Sequence, residues 1–233
     1  SMRSIVALSL AALLACHSGP VRAQVDEDQT GAWYMYFFDG SANDAGWGFQ
    51  GDIQYRNWDQ GGDLEQLLLR GGITYKPKSA NVLFTLGYAN IRSGEFGPGD
   101  ATVSEDRIYQ EVGLPQKVGS RVYLRHRFRY EQRWVDNQDF RTRFRYALFM
   151  NIPINREDLR QGAWYLSFYN EIFINGERDI GDGREVELFD RNRFYGAIGY
   201  SLRVSLRLQA GYMHQTSDSV EKGQIQLSLH HRF

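Results

Sequence analysis

Cysteine is almost absent from this chain: Cys16 is the only one in 233 residues. If the first 23 residues are removed, none remains, and disulfides and thiol catalysis are both excluded. Proline is scarce, at 5 residues, and the formal charge is only -1. Long apolar runs are missing too. Apart from one N-terminal stretch, nothing approaches the roughly 18 residues that a membrane-spanning helix needs. A mean hydropathy of -0.50 is likewise low for a helical membrane protein. Any membrane reading must therefore be a barrel, because only helices and closed barrels satisfy every backbone polar group in lipid.

What the chain has is glycine, 24 residues, and aromatics, 14%. Residues 1–23 read as an export signal: Arg3 supplies the positive start, Ile5 to Ala15 the apolar core, and Val21-Arg22-Ala23 a small-residue cleavage site. A rival reading ends a lipoprotein signal before Cys16, since Leu13-Leu14-Ala15-Cys16 resembles a lipobox. Residues 24–233, about 210, then suit one domain.

Strand-like segments broken by turns fill that domain, at 31–38, 47–58, 64–76, 81–91, 104–115, 120–135, 139–152, 163–175, 189–202, 205–216 and 223–233. Several have about the 10 residues of a tilted membrane-crossing strand. Their side chains alternate in character, as opposite faces of a strand require. In 120–135, Val122, Leu124, His126, Phe128, Tyr130 and Trp134 oppose Arg121, Tyr123, Arg125, Arg127, Arg129, Glu131 and Arg133. The next segment sets Phe140, Phe144, Tyr146 and Leu148 against Arg141, Arg143 and Arg145, and the last sets Ile225, Leu227 and Leu229 against Gln224, Gln226, Ser228 and His230. A lipocalin-like barrel would alternate as well, with its apolar face inward. The export signal, the aromatics near strand ends (Tyr75, Trp134, Trp164, Tyr200, Tyr212) and the closing Phe233 favour an outer-membrane barrel instead.

The expectation is an all-β, antiparallel, up-and-down transmembrane barrel of 10–12 strands in a Gram-negative outer membrane. Even strand counts are the bacterial rule, so ten is preferred, with 31–38 left out of the wall. Turns at 77–80, 115–119, 153–162 and 202–205 are expected on the periplasmic side, and connections at 92–103, 176–188 and 217–222 outside. Ile225, Leu227, Leu229 and Phe233 are read as the signal for the barrel assembly machinery. Lipids and lipopolysaccharide are the other expected partners, together with a possible envelope protein; nucleic acid is not.

Five stretches carry a family resemblance: Ile53-Gln54-Tyr55-Arg56, Asp63 to Arg70, Arg143-Phe144-Arg145-Tyr146, Tyr169 to Asn175, and Asp190 to Tyr195. With these, the sequence resembles the bacterial domain of unknown function numbered 2490, a family of predicted outer-membrane barrels. The resemblance covers nearly all of the chain beyond the signal. It implies a fold and a location but no activity.

The expected lumen is rich in arginine: Arg56, Arg70, Arg107, Arg121, Arg125, Arg127, Arg129, Arg133, Arg141, Arg143, Arg145, Arg191, Arg193 and Arg207. Tyr169 joins them. The acids expected to face them are fewer: Asp52, Glu65, Glu111, Glu131 and Glu171. An interlocked polar filling is the favoured reading, because small barrels are just wide enough to be filled by side chains. A narrow anion-preferring pore is the alternative. A lipid-face hydrolase comes third: His126 and His214 share the outward parity, but no serine accompanies them. No catalytic residue, cofactor or metal site is expected. The acidic stretch Glu177, Asp179, Asp182, Glu185, Glu187 and Asp190 is read as a solvated outer loop, although carboxylates of this kind could hold calcium or bridge to lipopolysaccharide through divalent ions.

Overall fold

The computed structural model describes residues 25–233; the expected signal segment and Cys16 lie outside them. The described residues are all strand, turn and loop. In chain order the strands are β1 (Gly31–Ser41), β2 (Trp47–Asn57), β3 (Leu64–Tyr75), β4 (Leu83–Gly94), β5 (Thr102–Val118), β6 (Val122–Val135), β7 (Arg141–Pro153), β8 (Trp164–Asn175), β9 (Asp179–Gly181), β10 (Arg184–Glu185), β11 (Phe189–Arg203), β12 (Leu206–Ser217) and β13 (Glu221–Arg232). Eleven of them close into one barrel in the order β1-β13-β12-β11-β8-β7-β6-β5-β4-β3-β2. The remaining two, β9 and β10, form a small separate hairpin. Its turn residues Asp182 and Gly183 have φ of 55° and 70°, the left-handed pair that a tight hairpin requires.

Two expectations are corrected. The wall has eleven strands, not ten, and it is not wholly antiparallel. The segment expected at 31–38 is a full wall strand, β1. Each antiparallel step reverses direction, so an odd number of strands leaves the first and last pointing the same way, and they close in parallel from Gly31↔Gln224 to Asp39↔Arg232. Parallel pairs are slightly weaker per residue, and this seam is reinforced by side chains. The Phe37 and His230 rings stack at 4.9 Å and 11°. The Tyr36 hydroxyl and His231 Nδ1 are hydrogen-bonded at 2.9 Å, and Arg232 pairs with Asp39 at 2.9 Å.

A third difference is local. β5 runs on through Pro115, which was expected to open a turn, and the turn shrinks to residues 119–121. The β4 pairing stops at Leu83↔Gly113, so beyond Gly113 β5 has only β6 beside it. Proline, lacking an N–H, is tolerated on such a free edge.

The two barrel ends differ. β1 begins at the loop end, which carries the connections 58–63, 95–101, 136–140, 176–188 and 218–220. The turn end carries 42–46, 76–82, 119–121, 154–163 and 204–205, and β13 finishes there. Polarity is inverted relative to a water-soluble protein. Buried polar and charged residues outnumber buried apolar ones, while Ile73 (61% exposed), Leu86 (58%) and Phe194 (57%) stand on the outer wall. Tyrosines on the inner face lie over glycines of the paired strand: a Cβ on Gly87 or Gly199 would sit 2.1 Å from the ring of Tyr109 or Tyr165. These are direct partners across the ladder, and the ring fills the place of the missing side chain.

The seam is testable. In a Cys16→Ser background, Tyr34→Cys with Leu227→Cys, directly paired and both outward, should form a disulfide under mild oxidation, read as a mobility shift on a non-reducing gel. The offset pair Tyr34→Cys with Leu229→Cys should not. Equal yields would contradict the parallel register.

Candidate functional site

The inner face is built by register. Across β5, β6 and β7 the paired residues read Arg107–Arg133–Arg141, Tyr109–Glu131–Arg143, Glu111–Arg129–Arg145 and Gly113–Arg127–Ala147. From β7 the row continues Ala147–Glu171–Arg193 across β8 and β11. Like charges therefore face each other directly at several steps, which is destabilising unless acids on the diagonal intervene.

Glu131, 1% exposed, is the chief of these acids. Four guanidiniums surround it, at 2.7 Å (Arg145), 2.8 Å (Arg143), 3.6 Å (Arg107) and 4.0 Å (Arg129). Glu171 takes Arg127 and Arg145, each at 2.5 Å. Glu111 takes Arg129 at 2.5 Å, and Asp52 takes Arg70 at 2.9 Å. Gly113 and Ala147 flank Arg127 with almost no side chain, which gives it room to reach straight across Ala147 to Glu171.

Aromatic rings complete the packing. Phe173 lies beneath Arg145 (4.3 Å), Arg193 (4.7 Å) and Arg143 (5.0 Å). Tyr109 carries Arg129 at 4.4 Å, and Trp33 carries Arg56 at 3.8 Å. Planar, weakly hydrated guanidinium suits this combination of fork and stack; an ammonium would not. On the opposite wall Tyr169 and Tyr195 stack at 4.7 Å, and Gln209 links Tyr195 to Tyr165 by hydrogen bonds of 3.1 and 3.0 Å.

The lumen divides in two along its axis. Toward the loop end it is filled. Glu105 binds Arg107 (2.6 Å) and Arg133 (2.5 Å), and Asp190 binds Arg143 (2.9 Å) and Arg191 (3.0 Å). Arg141 is buried beside them. Above this layer Lys222, 2% exposed, donates to the carbonyls of Gln29 and Trp58 at 3.2 and 3.1 Å, under the rings of Trp58 and Phe96. The loop over it is pinned by Asp59. Its carboxylate accepts the amides of Gly61, Gly62 and Asp63 at 2.7–2.9 Å, bonds that hold it below the usual carboxylate range. Toward the turn end the lumen widens into a cavity of about 370 Å³.

Most of the lumen residues expected from the sequence are brought together here, but Arg121 is not. It lies exposed in the turn 119–121, donating to the Ile154 carbonyl at 3.4 Å. The alternation starts only at Val122, where β6 begins, so parity could not be extended to it. Arg125 is exposed at the cavity mouth, and Arg191 is only half-buried. Glu65 accepts the Trp33 indole N–H at 2.9 Å. The assembly-signal residues Ile225 and Leu227 are on the outer wall, Leu229 is half-buried, and Phe233 is 67% exposed. Asp190, expected in the acidic outer loop, lies instead in β11 and belongs to the filled layer.

Glu105, Phe149 and Phe173 also belong to this interior and went unassigned in the sequence. Each shares the parity of an arginine on its own or the neighbouring strand, and that was the signal available. Of the histidines, His126 is hydrogen-bonded to Tyr146 (2.8 Å) and Gln116 (3.1 Å) on the outer face. His230 is hydrogen-bonded to Ser228 at 2.9 Å inside the cavity.

Removing one partner of a buried ionic cluster leaves the others uncompensated, at a cost of about 3–5 kcal/mol. Glu131→Ala should therefore lower the urea unfolding free energy of the purified protein by roughly that amount, with Glu131→Gln milder. An unchanged midpoint would mean that the cluster does not hold the barrel together.

Comparison with known proteins covers most of the chain. An uncharacterized protein of Methylorubrum extorquens is 28% identical over 218 residues, 93% of this chain and 91% of its own. No solved structure matches. The family model described as "Protein of unknown function (DUF2490)" matches residues 30–226, from the threshold of β1 into β13, and the chain belongs to that family.

Proposed function

We propose that this chain is an integral outer-membrane barrel with a closed lumen, serving the envelope as a structural or interaction component rather than as an enzyme. One observation carries the reading: charge is buried inside the wall while large apolar side chains face out from it. In water that distribution would leave an exposed apolar surface far beyond the few hundred Å² usual for a monomer. In lipid it is the arrangement of lowest free energy. Aromatic pairs stand near both rims. Trp47–Tyr75 (4.9 Å) and Trp164–Tyr200 (4.7 Å) lie toward the turn end, and Trp134–Phe140 (5.2 Å) toward the loop end. Such rings suit the two interfaces of a bilayer. On this reading residues 1–23 direct export, and the outward apolar residues of β13, with Phe233, are what the assembly machinery recognises.

The anion-pore alternative would need a path through the layer of Glu105, Glu131, Asp190 and their arginines, which are joined by ion pairs of 2.6–2.9 Å. The lipid-face hydrolase would need a nucleophile beside His126, whose ring is already engaged by Tyr146 and Gln116.

Depth-dependent quenching tests the membrane reading. In liposomes containing lipids brominated near the headgroup, the emission of the outward Trp47, Trp134 and Trp164 should fall markedly. Ile53→Trp, at the middle of β2 and outward, should add emission that is quenched best by bromine near the chain ends. Emission indifferent to both lipids would reject the reading.

A further inference from the structure

We infer that the turn-end half of the lumen is a binding site for a small organic anion, held by its carboxylate or phosphate group between Arg125 and Arg207. The site deepens the reading of a lumen closed at one end, and it can be tested in detergent, independently of whether the barrel resides in an outer membrane.

The cavity, of about 370 Å³, is lined by nine arginines and only four carboxylates. All four carboxylates are already engaged: Asp52 by Arg70, Glu111 by Arg129, Glu171 by Arg127 and Arg145, and Asp39 by Arg232. Two of the remaining arginines are occupied by amides and rings. Arg56 binds Gln54 and Gln66 over Trp33, and Arg193 binds Gln215 over Phe173.

Arg125 on β6 and Arg207 on β12 also lie over rings, Phe149 at 4.4 Å and Tyr165 at 5.9 Å, but no amide or carboxylate accepts from them. Among the described residues no carboxylate lies within 4.0 Å of either guanidinium, and neither guanidinium donates a hydrogen bond. They reach the cavity from strands four places apart around the wall, and both are within electrostatic reach of His230. Deeper in, Nε of Arg127 and Nη1 of Arg129 are buried without an acceptor. Buried donors are normally satisfied, so these two mark a place where an acceptor is missing from the protein's own atoms.

Guanidinium forks match carboxylate and phosphate oxygens bidentately, which sets the chemistry of the head group. The volume sets the size, because pockets for small molecules begin near 300 Å³. The cavity is also partly aromatic. Phe149 lies under Arg125 at 4.4 Å and Arg127 at 5.0 Å, and Phe37 stacks on His230. These faces suit the carbon skeleton of an organic anion better than they suit a bare inorganic ion. Access is from the turn end, where the exposed Val204 and Arg125 border the opening.

Titration calorimetry of the purified protein in a zwitterionic detergent at low salt is the test, with inorganic phosphate, succinate and phenyl phosphate as probes. Saturable binding of at least one is expected, tightest for phenyl phosphate if the rings contribute. Arg125→Gln and Arg207→Gln should each weaken it by about tenfold or more, the loss of one charge-assisted fork. Neither change should lower the urea midpoint, since neither removes an ion pair. Arg160→Gln, in the exposed 154–163 loop outside the cavity, should bind as the parent does. Phe149→Leu provides a second, uncharged variant and should weaken phenyl phosphate more than phosphate. Absence of saturable heat for all three probes up to about 10 mM, or undiminished binding by the Arg125→Gln/Arg207→Gln double variant, would overturn the inference.

Discussion

Burying Glu131 is possible only because four guanidiniums reach it, and burying those guanidiniums is possible only because acids and rings lie on the diagonals between them. An isolated charge taken out of water costs many kcal/mol, and attraction offsets that cost only when geometry and hydrogen bonding are both good. That requirement reaches outward through the whole wall. A slip of one residue anywhere along β5 to β8 would send the arginine row to the outer face and the apolar row inside. The ladder is therefore held in one register by its contents, and the glycines opposite Tyr109 and Tyr165 hold it there by shape.

The odd strand count follows from the same interior. β1 contributes Trp33, which carries Arg56 and, at 5.0 Å, Arg193. Without β1 those two guanidiniums would lose the ring between them. Its inclusion makes the closing pair parallel and sets the start of β1 and the finish of β13 at opposite ends of the barrel. The slightly weaker parallel ladder is compensated by contacts specific to the seam, the Phe37–His230 stack and the Arg232–Asp39 pair.

Much of this was legible in the sequence, because period-two alternation is a local property. The faces of β6, β7 and β13 could be assigned residue by residue. What was not legible depends on neighbours. The wall membership of β1 is decided by closure, which no single strand encodes, and a rule about even counts pointed the other way. Pro115 reads as a turn residue until it is known that β4 has already ended beside it. Asp190 sits among loop acids in the sequence, and only the irregularity in the β8–β11 ladder between Phe189 and Arg191 turns it inward to Arg143. Arg121 has the right parity one residue too early, since parity says nothing about where a strand begins.

The interior is asymmetric along its axis, a dense ionic layer toward the loop end and an arginine-rich cavity toward the turn end. On the proposed reading the barrel is blind: a solute enters from one side, but nothing crosses. Planar-bilayer recording of the reconstituted protein examines that claim most directly. Protein shown to be folded and inserted should give no conductance steps in either salt polarity. Stable unitary steps from the unmodified chain would contradict the account, because they would require a continuous water path through the layer around Glu131.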